Sequence, residues 1–200
     1  MLKTVVVHLI IVILVLSSNY SSGQQHKFTI HLAGGNIGEI NAELVEKNGI
    51  KYFEIVSEVN FKVLWKKYNR KTDNKLTYSN NKILESSSSI YFQYELEDSA
   101  YMKLNKDVYS CYRFPDKKYD LDKFEIEFPA ALLYFKEPVG VDKIYSERFL
   151  DYCKVEAKED HKYVIYLPNG KENIYTYEKG LLKMVYVDRT WFNLEFKKVQ

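Results

Sequence analysis

Residues 48–65 read Asn-Gly-Ile-Lys-Tyr-Phe-Glu-Ile-Val-Ser-Glu-Val-Asn-Phe-Lys-Val-Leu-Trp, and this stretch decides the fold class. Asn48-Gly49 is a strong hairpin signal, because both residues tolerate positive φ. Apolar and polar side chains then alternate with the period of two that is typical of a half-buried strand. The apolar face contains Phe53, Ile55, Val59, Phe61, Val63 and Trp65. A strand of this length is expected to bend or bulge, which predicts a curved sheet.

Short alternating runs and polar turns continue on both sides of this strand. Residues 28–32 and 39–44 alternate before it, residues 66–74 form a polar connection after it, and residues 123–128 alternate again. Asn169-Gly170 is one of several later turns. Runs joined by such turns predict an antiparallel meander. We expect a mainly β fold of about ten strands, in one antiparallel sheet that curves into a half-barrel or a barrel.

One segment departs from this rhythm, between Pro129 and Pro138. Pro129 suits the first position of a helix, Ala130 and Ala131 favour helix, and Pro138 blocks its continuation. A short helix of about two turns is therefore predicted. The segment is apolar nearly all round, so we expect the helix to be buried against the sheet.

The N-terminal sequence predicts a cleaved signal peptide over residues 1–23. Lys3 precedes an unbroken apolar run over residues 5–16, and Ser21-Ser22-Gly23 supplies the small residues that signal peptidase requires. The run is shorter than the roughly 20 residues of a membrane-spanning helix. Residues 24–200 are then expected to form a single antiparallel β domain that does not span the membrane, located in the periplasm or outside the cell.

Composition and motifs exclude several classes of partner. Lys and Arg total 29 against 27 Asp and Glu, without the concentrated basic stripe of a nucleic-acid binder. The 18 Tyr and 11 Phe are interpreted as strand packing. The histidines lack the spacing of metal ligands, and no nucleophile motif is present. The sequence therefore predicts no catalytic residue, no metal and no cofactor.

Cys111 and Cys153 leave two states open. In an oxidising compartment they form a disulfide if their strands bring the two Cα atoms within about 7 Å. Otherwise both are buried free thiols that behave as small apolar side chains. The sequence alone does not decide between these states.

The apolar face of the long strand carries the functional prediction. In a closed sandwich such a face is core. In a half-open curved sheet it lines a cavity for an apolar or lipid-like ligand, with the predicted helix as a plug or lid. On the second interpretation the protein is a non-catalytic ligand-binding protein. Its predicted ligand-binding residues are Phe53, Ile55, Val59, Phe61, Val63, Trp65, Leu133 and Phe135.

Two other classes of function remain open. An envelope hydrolase would use carboxylates from Glu125, Glu127 or Asp151, because a pair of carboxylates performs glycoside hydrolysis. A structural or interaction module would instead use exposed tyrosines as contact points for a protein partner.

Several short motifs, spread over nearly all of the expected mature chain, carry a family resemblance. They are Gly34-Gly-Asn-Ile-Gly38, Tyr78-Ser-Asn-Asn-Lys-Ile-Leu84, Leu133-Tyr-Phe-Lys-Glu-Pro138, Tyr145-Ser-Glu147 and Tyr163-Val-Ile-Tyr-Leu-Pro-Asn-Gly170. Together they resemble an uncharacterised family of secreted proteins common in Bacteroidetes. The resemblance implies an envelope protein and supplies no catalytic residues. More distantly, the meander with a tucked helix is similar in architecture to the half-barrel lipoprotein carriers of the periplasm, an analogy of fold alone.

Overall fold

The computed structural model describes residues 21–63, 65–159, 161–189 and 192–199. Fourteen strands form one antiparallel sheet in these ranges. The strands are β1 (Ser21–Leu32), β2 (Gly35–Lys47), β3 (Ile50–Val63), β4 (Lys66–Ser79), β5 (Lys82–Phe92), β6 (Glu95–Asn105), β7 (Val108–Arg113), β8 (Lys117–Asp122), β9 (Lys143–Ser146), β10 (Asp151–Ala157), β11 (Lys162–Tyr166), β12 (Glu172–Glu178), β13 (Leu181–Arg189) and β14 (Phe192–Lys198). Most of the predicted signal peptide lies outside the described residues, and its last three residues begin β1.

The sheet joins two meanders through the first and last strands. Strands that follow one another in sequence pair along β1 to β8 and along β9 to β14, and β1 also pairs with β14. The order across the sheet is therefore β8 to β1 followed by β14 to β9. The turn at Asn48 and Gly49 has φ values of 54° and 74°, as the hairpin prediction requires.

The prediction of a mainly β, antiparallel fold is confirmed. The predicted number of about ten strands was too low, because the described chain has 14. Residues 66–74, predicted as a polar connection, belong to β4. Their alternate side chains Arg70, Thr72 and Asn74 line a cavity and are polar, so the strand lacks an apolar period. Residues 123–128 do alternate but form no strand. Several of their backbone groups form hydrogen bonds with turn residues and tyrosine hydroxyls instead of with a neighbouring strand.

The sheet curls until strands from opposite ends touch. The Tyr145 hydroxyl on β9 donates a hydrogen bond to the Met102 sulfur on β6, at 3.4 Å. The Arg113 guanidinium at the end of β7 donates to the Arg148 carbonyl beyond β9, at 2.5 Å. Buried side chains from both meanders form one core. Within the described chain, β8 and β9 are the unpaired edges, so the curved sheet is not closed.

The segment between β8 and β9, residues 123–142, lies between these edges and is called the crossover segment. It contains a 3₁₀ helix, Ala130–Tyr134, so the predicted helix of two turns was wrong. Pro129 is extended, with φ −71° and ψ 148°, and Phe135 leaves helical geometry, so only five residues are helical. The predicted burial is confirmed, since Ala131, Leu133 and Phe135 are buried. Among the described residues, no helix is long and apolar enough to span a bilayer.

Tyrosine hydroxyls fasten the crossover segment to the sheet. The donors and acceptors are Tyr78 to the Ile126 carbonyl at 2.6 Å, Tyr109 to the Phe124 carbonyl at 3.5 Å, Tyr152 to the Glu125 carbonyl at 3.1 Å, Tyr177 to the Leu133 carbonyl at 2.8 Å and Tyr163 to the Glu137 carboxylate at 2.8 Å. Burial raises the pKa of Tyr78 to about 12, which keeps the donating proton in place. Many tyrosines thus pack as strand residues and also satisfy the carbonyls of an irregular segment.

Cys111 on β7 and Cys153 on β10 are free and buried. Burial raises the pKa of each thiol to about 11, so both remain protonated at neutral pH. Of the two states left open by the sequence, the structure therefore has the buried thiols.

Candidate functional site

A cavity of about 510 Å³ lies on the inner face of the curved sheet, beside the 3₁₀ helix. Because neighbouring strands run in opposite directions, the turns that follow β1, β3, β5, β9 and β11 all lie at one end of the sheet. Arg148, Asn169 and Lys171 from two of these turns line the cavity. We call this end the mouth end.

Much of the cavity wall is apolar. In the first meander it comes from alternate positions of β2 to β5, whose side chains point to the same face. In the second meander it comes from β13 and β14. The apolar residues are Ile40, Phe53, Ile55, Leu76, Ile90, Val187, Leu194 and Phe196.

On β3 and β4, polar side chains replace apolar ones toward the mouth end. The register pairs Phe53 with Leu76 deep in the sheet, then Ser57 with Thr72, and then Val59 with Arg70 nearest the β3–β4 turn. One strand pair therefore changes from apolar to cationic along its length. Such a gradient matches a ligand with an apolar body and a polar end.

Three arginines at the mouth end pair with two carboxylates. Arg113 and Arg148 share one carboxylate, Asp98, at 3.5 and 3.3 Å. Arg70 pairs with Glu97 at 2.5 Å. Two guanidiniums on a single carboxylate leave a net positive charge beside the cavity, which favours an anionic group in a ligand.

Glu147 is a buried carboxylate in the cavity wall. Its Oε1 accepts a hydrogen bond from the Ala131 backbone N–H at 3.2 Å, so it holds the start of the 3₁₀ helix against β9. Burial raises the pKa of Glu147 to about 7, and hydrogen bonds from backbone N–H groups oppose that rise only in part.

Glu147→Gln is expected to change how stability depends on pH. Because the Glu147 pKa is raised from 4.5 to about 7, the folded protein binds more protons than the unfolded chain between these values. The stabilisation is fully present below pH 4.5 and is lost as pH rises to 7, about 3 kcal/mol in total. Urea denaturation from pH 4.5 to 7.5 should show the difference between wild type and Glu147→Gln changing by this amount. The exposed Glu127→Gln is the control and should keep the wild-type profile; a parallel profile for Glu147→Gln would contradict the assignment.

The predicted ligand-binding residues separate into three groups in the structure. Phe53, Ile55 and Val59 line the cavity. Leu133 and Phe135 are buried in the core beside it. Phe61 stacks on Tyr68 toward the tip of the hairpin, Trp65 is exposed there, and the side chain of Val63 lies outside the described residues.

The carboxylates of the hydrolase alternative lie elsewhere. Glu125, Glu127 and Asp151 are all exposed, and none of them lines the cavity. Among the residues that the structure describes, the buried carboxylates are Glu147 and Glu137 instead. Glu137 accepts hydrogen bonds from the Tyr163 hydroxyl and is 2.8 Å from the exposed His161 ring, an arrangement that fixes the end of the crossover segment.

Sequence reasoning missed the polar part of the cavity. Thr72, Asn74 and Arg70 alternate along β4, and Ser88 on β5 donates to Asn74 Oδ1 at 2.6 Å. Residues 70–75 are all polar, so no period of two distinguished the inward side chains from the outward ones. Arg148 and Lys171 lie in connections between strands and carried no pattern either.

Comparison with known proteins gives a family and a fold. A family model described as a domain of unknown function (DUF6134) matches residues 28–199. The crystal structure of a beta-barrel-like protein of domain of unknown function DUF1849 from Brucella abortus is similar over 88% of this chain and 95% of that chain, with a TM-score of 0.50 and 13% identity. At this identity the likeness concerns the fold alone. No curated protein matches the chain.

Proposed function

Because the chain belongs to the DUF6134 family, a domain of unknown function, we propose its function from the cavity: it binds a small amphipathic, lipid-like ligand. The apolar part of the ligand lies against Phe53, Ile55 and Leu76. Its polar or anionic end lies among Arg70, Thr72 and Arg148 at the mouth end.

The observation that carries this proposal is the gradient along β3 and β4, from Phe53–Leu76 to Val59–Arg70. Inward polar side chains such as Thr72 and Asn74 are uncommon in a closed core, because burying polar groups costs free energy. A volume of about 510 Å³ also falls within the range of small-molecule sites.

We propose binding and not catalysis as the main activity. The hydrolase alternative has no support from its three carboxylates, because they are exposed and lie outside the cavity. They are Glu125, Glu127 and Asp151. Glu147 has a structural partner in the Ala131 N–H group.

Filling the cavity is expected to abolish ligand binding. Ser57 faces the cavity between Ile55 and Val59, so Ser57→Phe places a ring where the ligand would lie. We expect wild type to bind a dansylated undecanoic acid, with fluorescence enhancement on titration, and Ser57→Phe to weaken binding at least tenfold. Native mass spectrometry of the protein purified under mild conditions should show bound lipid in wild type and less in the variant.

The control is Glu58→Phe, which adds the same ring on the exposed face of the same strand. It should bind the probe as wild type does. Circular dichroism checks that both variants fold, and Thr72→Phe provides a second plug from β4 if Ser57→Phe does not. Absence of probe binding by wild type, or equal affinity in folded plugged variants, would refute the cavity as a ligand site.

We also propose that the protein acts in the periplasm or outside the cell, after cleavage near Gly23. The support is the pattern of Lys3, the apolar run and the small residues that end at Gly23. The intact mass of the protein purified from its own host tests this, since cleavage leaves Gln24 first. A mass that includes residues 1–23 would contradict it. Origin in Bacteroidetes remains a prediction from the resemblance.

A further inference from the structure

Two hairpin tips at the mouth end expose aromatic side chains. Trp65, in the β3–β4 turn, is 84% exposed, and Tyr94, in the β5–β6 turn, is 82% exposed. Phe92 and Leu96 beside Tyr94 are also exposed. Large aromatic side chains this exposed on neighbouring turns mark an interaction site more often than ordinary surface.

The two tips are fastened together and act as one surface. Gln93 donates from its backbone N–H to the Asn69 carbonyl at 3.0 Å and from its side chain to the Lys67 carbonyl at 2.7 Å. The Tyr68 ring stacks on the Phe61 ring, with 5.1 Å between the ring centres, and its centre lies 6.2 Å from that of the Phe92 ring. We call this surface, residues 61–63, 65–68 and 92–96, the aromatic tip.

The aromatic tip is basic. Lys62, Lys66 and Lys67 are exposed, and within the described residues none of them lies within 4.0 Å of a carboxylate. Lys66 Nζ lies 5.8 Å from the centre of the Tyr68 ring. Glu95 offsets one of the three positive charges. The remaining surface combines exposed rings with positive charge, which is the chemistry of a site that meets an anionic lipid headgroup layer.

Backbone geometry at Tyr94 supports a role for its side chain. Gln93 and Tyr94 have φ values of 52° and 70°, a region that favours glycine and asparagine. A tyrosine in this conformation carries a local cost and gains no burial in return. The cost is understandable if the exposed ring makes its contacts with a partner.

We propose that the aromatic tip docks onto a bilayer surface that contains anionic lipid. Trp65 and Tyr94 lie at the level of the headgroups, where tryptophan and tyrosine are enriched in membrane proteins, and the lysines face the lipid phosphates. Phe61 and Tyr68 pair one step outside Val59 and Arg70, which line the cavity. Docking therefore turns the mouth end toward the membrane. That consequence rests on the proposed function, whereas docking itself does not.

The test is co-sedimentation of the purified protein with vesicles of phosphatidylcholine alone or with 30% phosphatidylglycerol. We expect binding to the anionic vesicles, weakened by 0.5 M salt because screening reduces surface attraction. Trp65→Ala with Tyr94→Ala should lower the partition coefficient at least tenfold. Lys62→Gln, Lys66→Gln and Lys67→Gln together should remove the preference for anionic vesicles. A Trp191→Phe background leaves Trp65 as the fluorescence reporter, and its emission should shift to the blue on binding.

Matched controls lie at the opposite end of the sheet. Lys47, Lys106 and Lys179 replaced together by Gln remove the same charge away from the aromatic tip, and Tyr52→Ala removes an exposed ring from the outer face of β3. Both should bind vesicles as wild type does. Ser57→Phe should also bind normally, so failure of the cavity proposal and failure of docking are separable.

Three results of the vesicle experiment would overturn the docking proposal. They are no binding of wild type, equal loss in the control and tip variants, or binding that ignores lipid charge. Sedimentation velocity tests whether a second copy of the chain binds to this surface instead. If wild type forms a dimer that Trp65→Ala with Tyr94→Ala dissolves, the aromatic tip binds a second copy of the chain and the proposal is wrong.

Discussion

Gly38→Ala is expected to destabilise the protein by about 3 kcal/mol or more. Gly38 faces Val59 in the ladder between β2 and β3. A Cβ at this position would lie 2.1 Å from the Glu58 carbonyl oxygen and 2.8 Å from the Val59 Cα. Both contacts are backbone atoms, so no side-chain rotation relieves them and the strands must separate.

The site of this close approach is the bend of the sheet. The register between β1 and β2 shifts between Ile30 and His31, directly opposite Gly38. A bulge and a glycine together let two strands curve tightly, a known device for closing sheets. Because Val59 and Arg70 line the cavity one strand away, loss of this curvature should also weaken probe binding.

Urea denaturation followed by circular dichroism measures the effect. A loss of 3 kcal/mol lowers the melting temperature by about 6–12 °C for a chain of this size. Gly35→Ala is the matched control in the same strand, since its Cβ would meet the Leu32 carbonyl oxygen at an ordinary 3.6 Å. Similar stabilities for Gly38→Ala and wild type would show that the strands lie farther apart than the structure places them.

Leu133→Ala is expected to destabilise the protein by about 3 kcal/mol, because it removes a fully enclosed side chain and leaves a cavity. Leu133 is 2% exposed and sits in the 3₁₀ helix, packed into the core. Its carbonyl accepts the Tyr177 hydroxyl at 2.8 Å, so the backbone cannot easily move to fill the space. The loss should be close to the full transfer and cavity cost.

Leu132→Ala is the control that tests whether the loss of stability comes from the buried side chain or from placing alanine in the 3₁₀ helix. Leu132 is the preceding residue of the same helix and is only half-buried. Its replacement by alanine should cost less than half as much in urea denaturation. If both variants were as stable as wild type, the 3₁₀ helix would not be packed into the core as its contacts indicate. A large loss in both would mean that leucine at position 132 also packs fully in solution.

The family resemblance and the β class were predictable from local features. Alternation in β3, the Asn48-Gly49 turn and short motifs such as Leu133–Pro138 are each encoded within a few residues. They required no knowledge of what lies across the sheet. The match of the DUF6134 family model over residues 28–199 confirms membership of an uncharacterised family.

The errors came from segments whose environment is set by distant residues. Residues 66–74 have no apolar period because their inward side chains meet a cavity. Residues 123–128 have such a period but are held by Tyr78 and Asn81. The predicted helix was shortened because the crossover segment must reach from β8 to β9 while its carbonyls bond tyrosines of other strands.

The sequence by itself determined the local periods: which residues alternate, where the chain turns, and that the sheet is antiparallel. Only the tertiary structure decided that β1 pairs with β14, that Trp65 leaves the core at a hairpin tip while Phe53 and Ile55 line a cavity, and that Glu147 is buried. The physical reason is the sequence separation over which each kind of interaction acts. Backbone geometry and side-chain alternation act between neighbours, whereas burial, charge pairing and cavity shape depend on which distant strands the curvature of the sheet brings together.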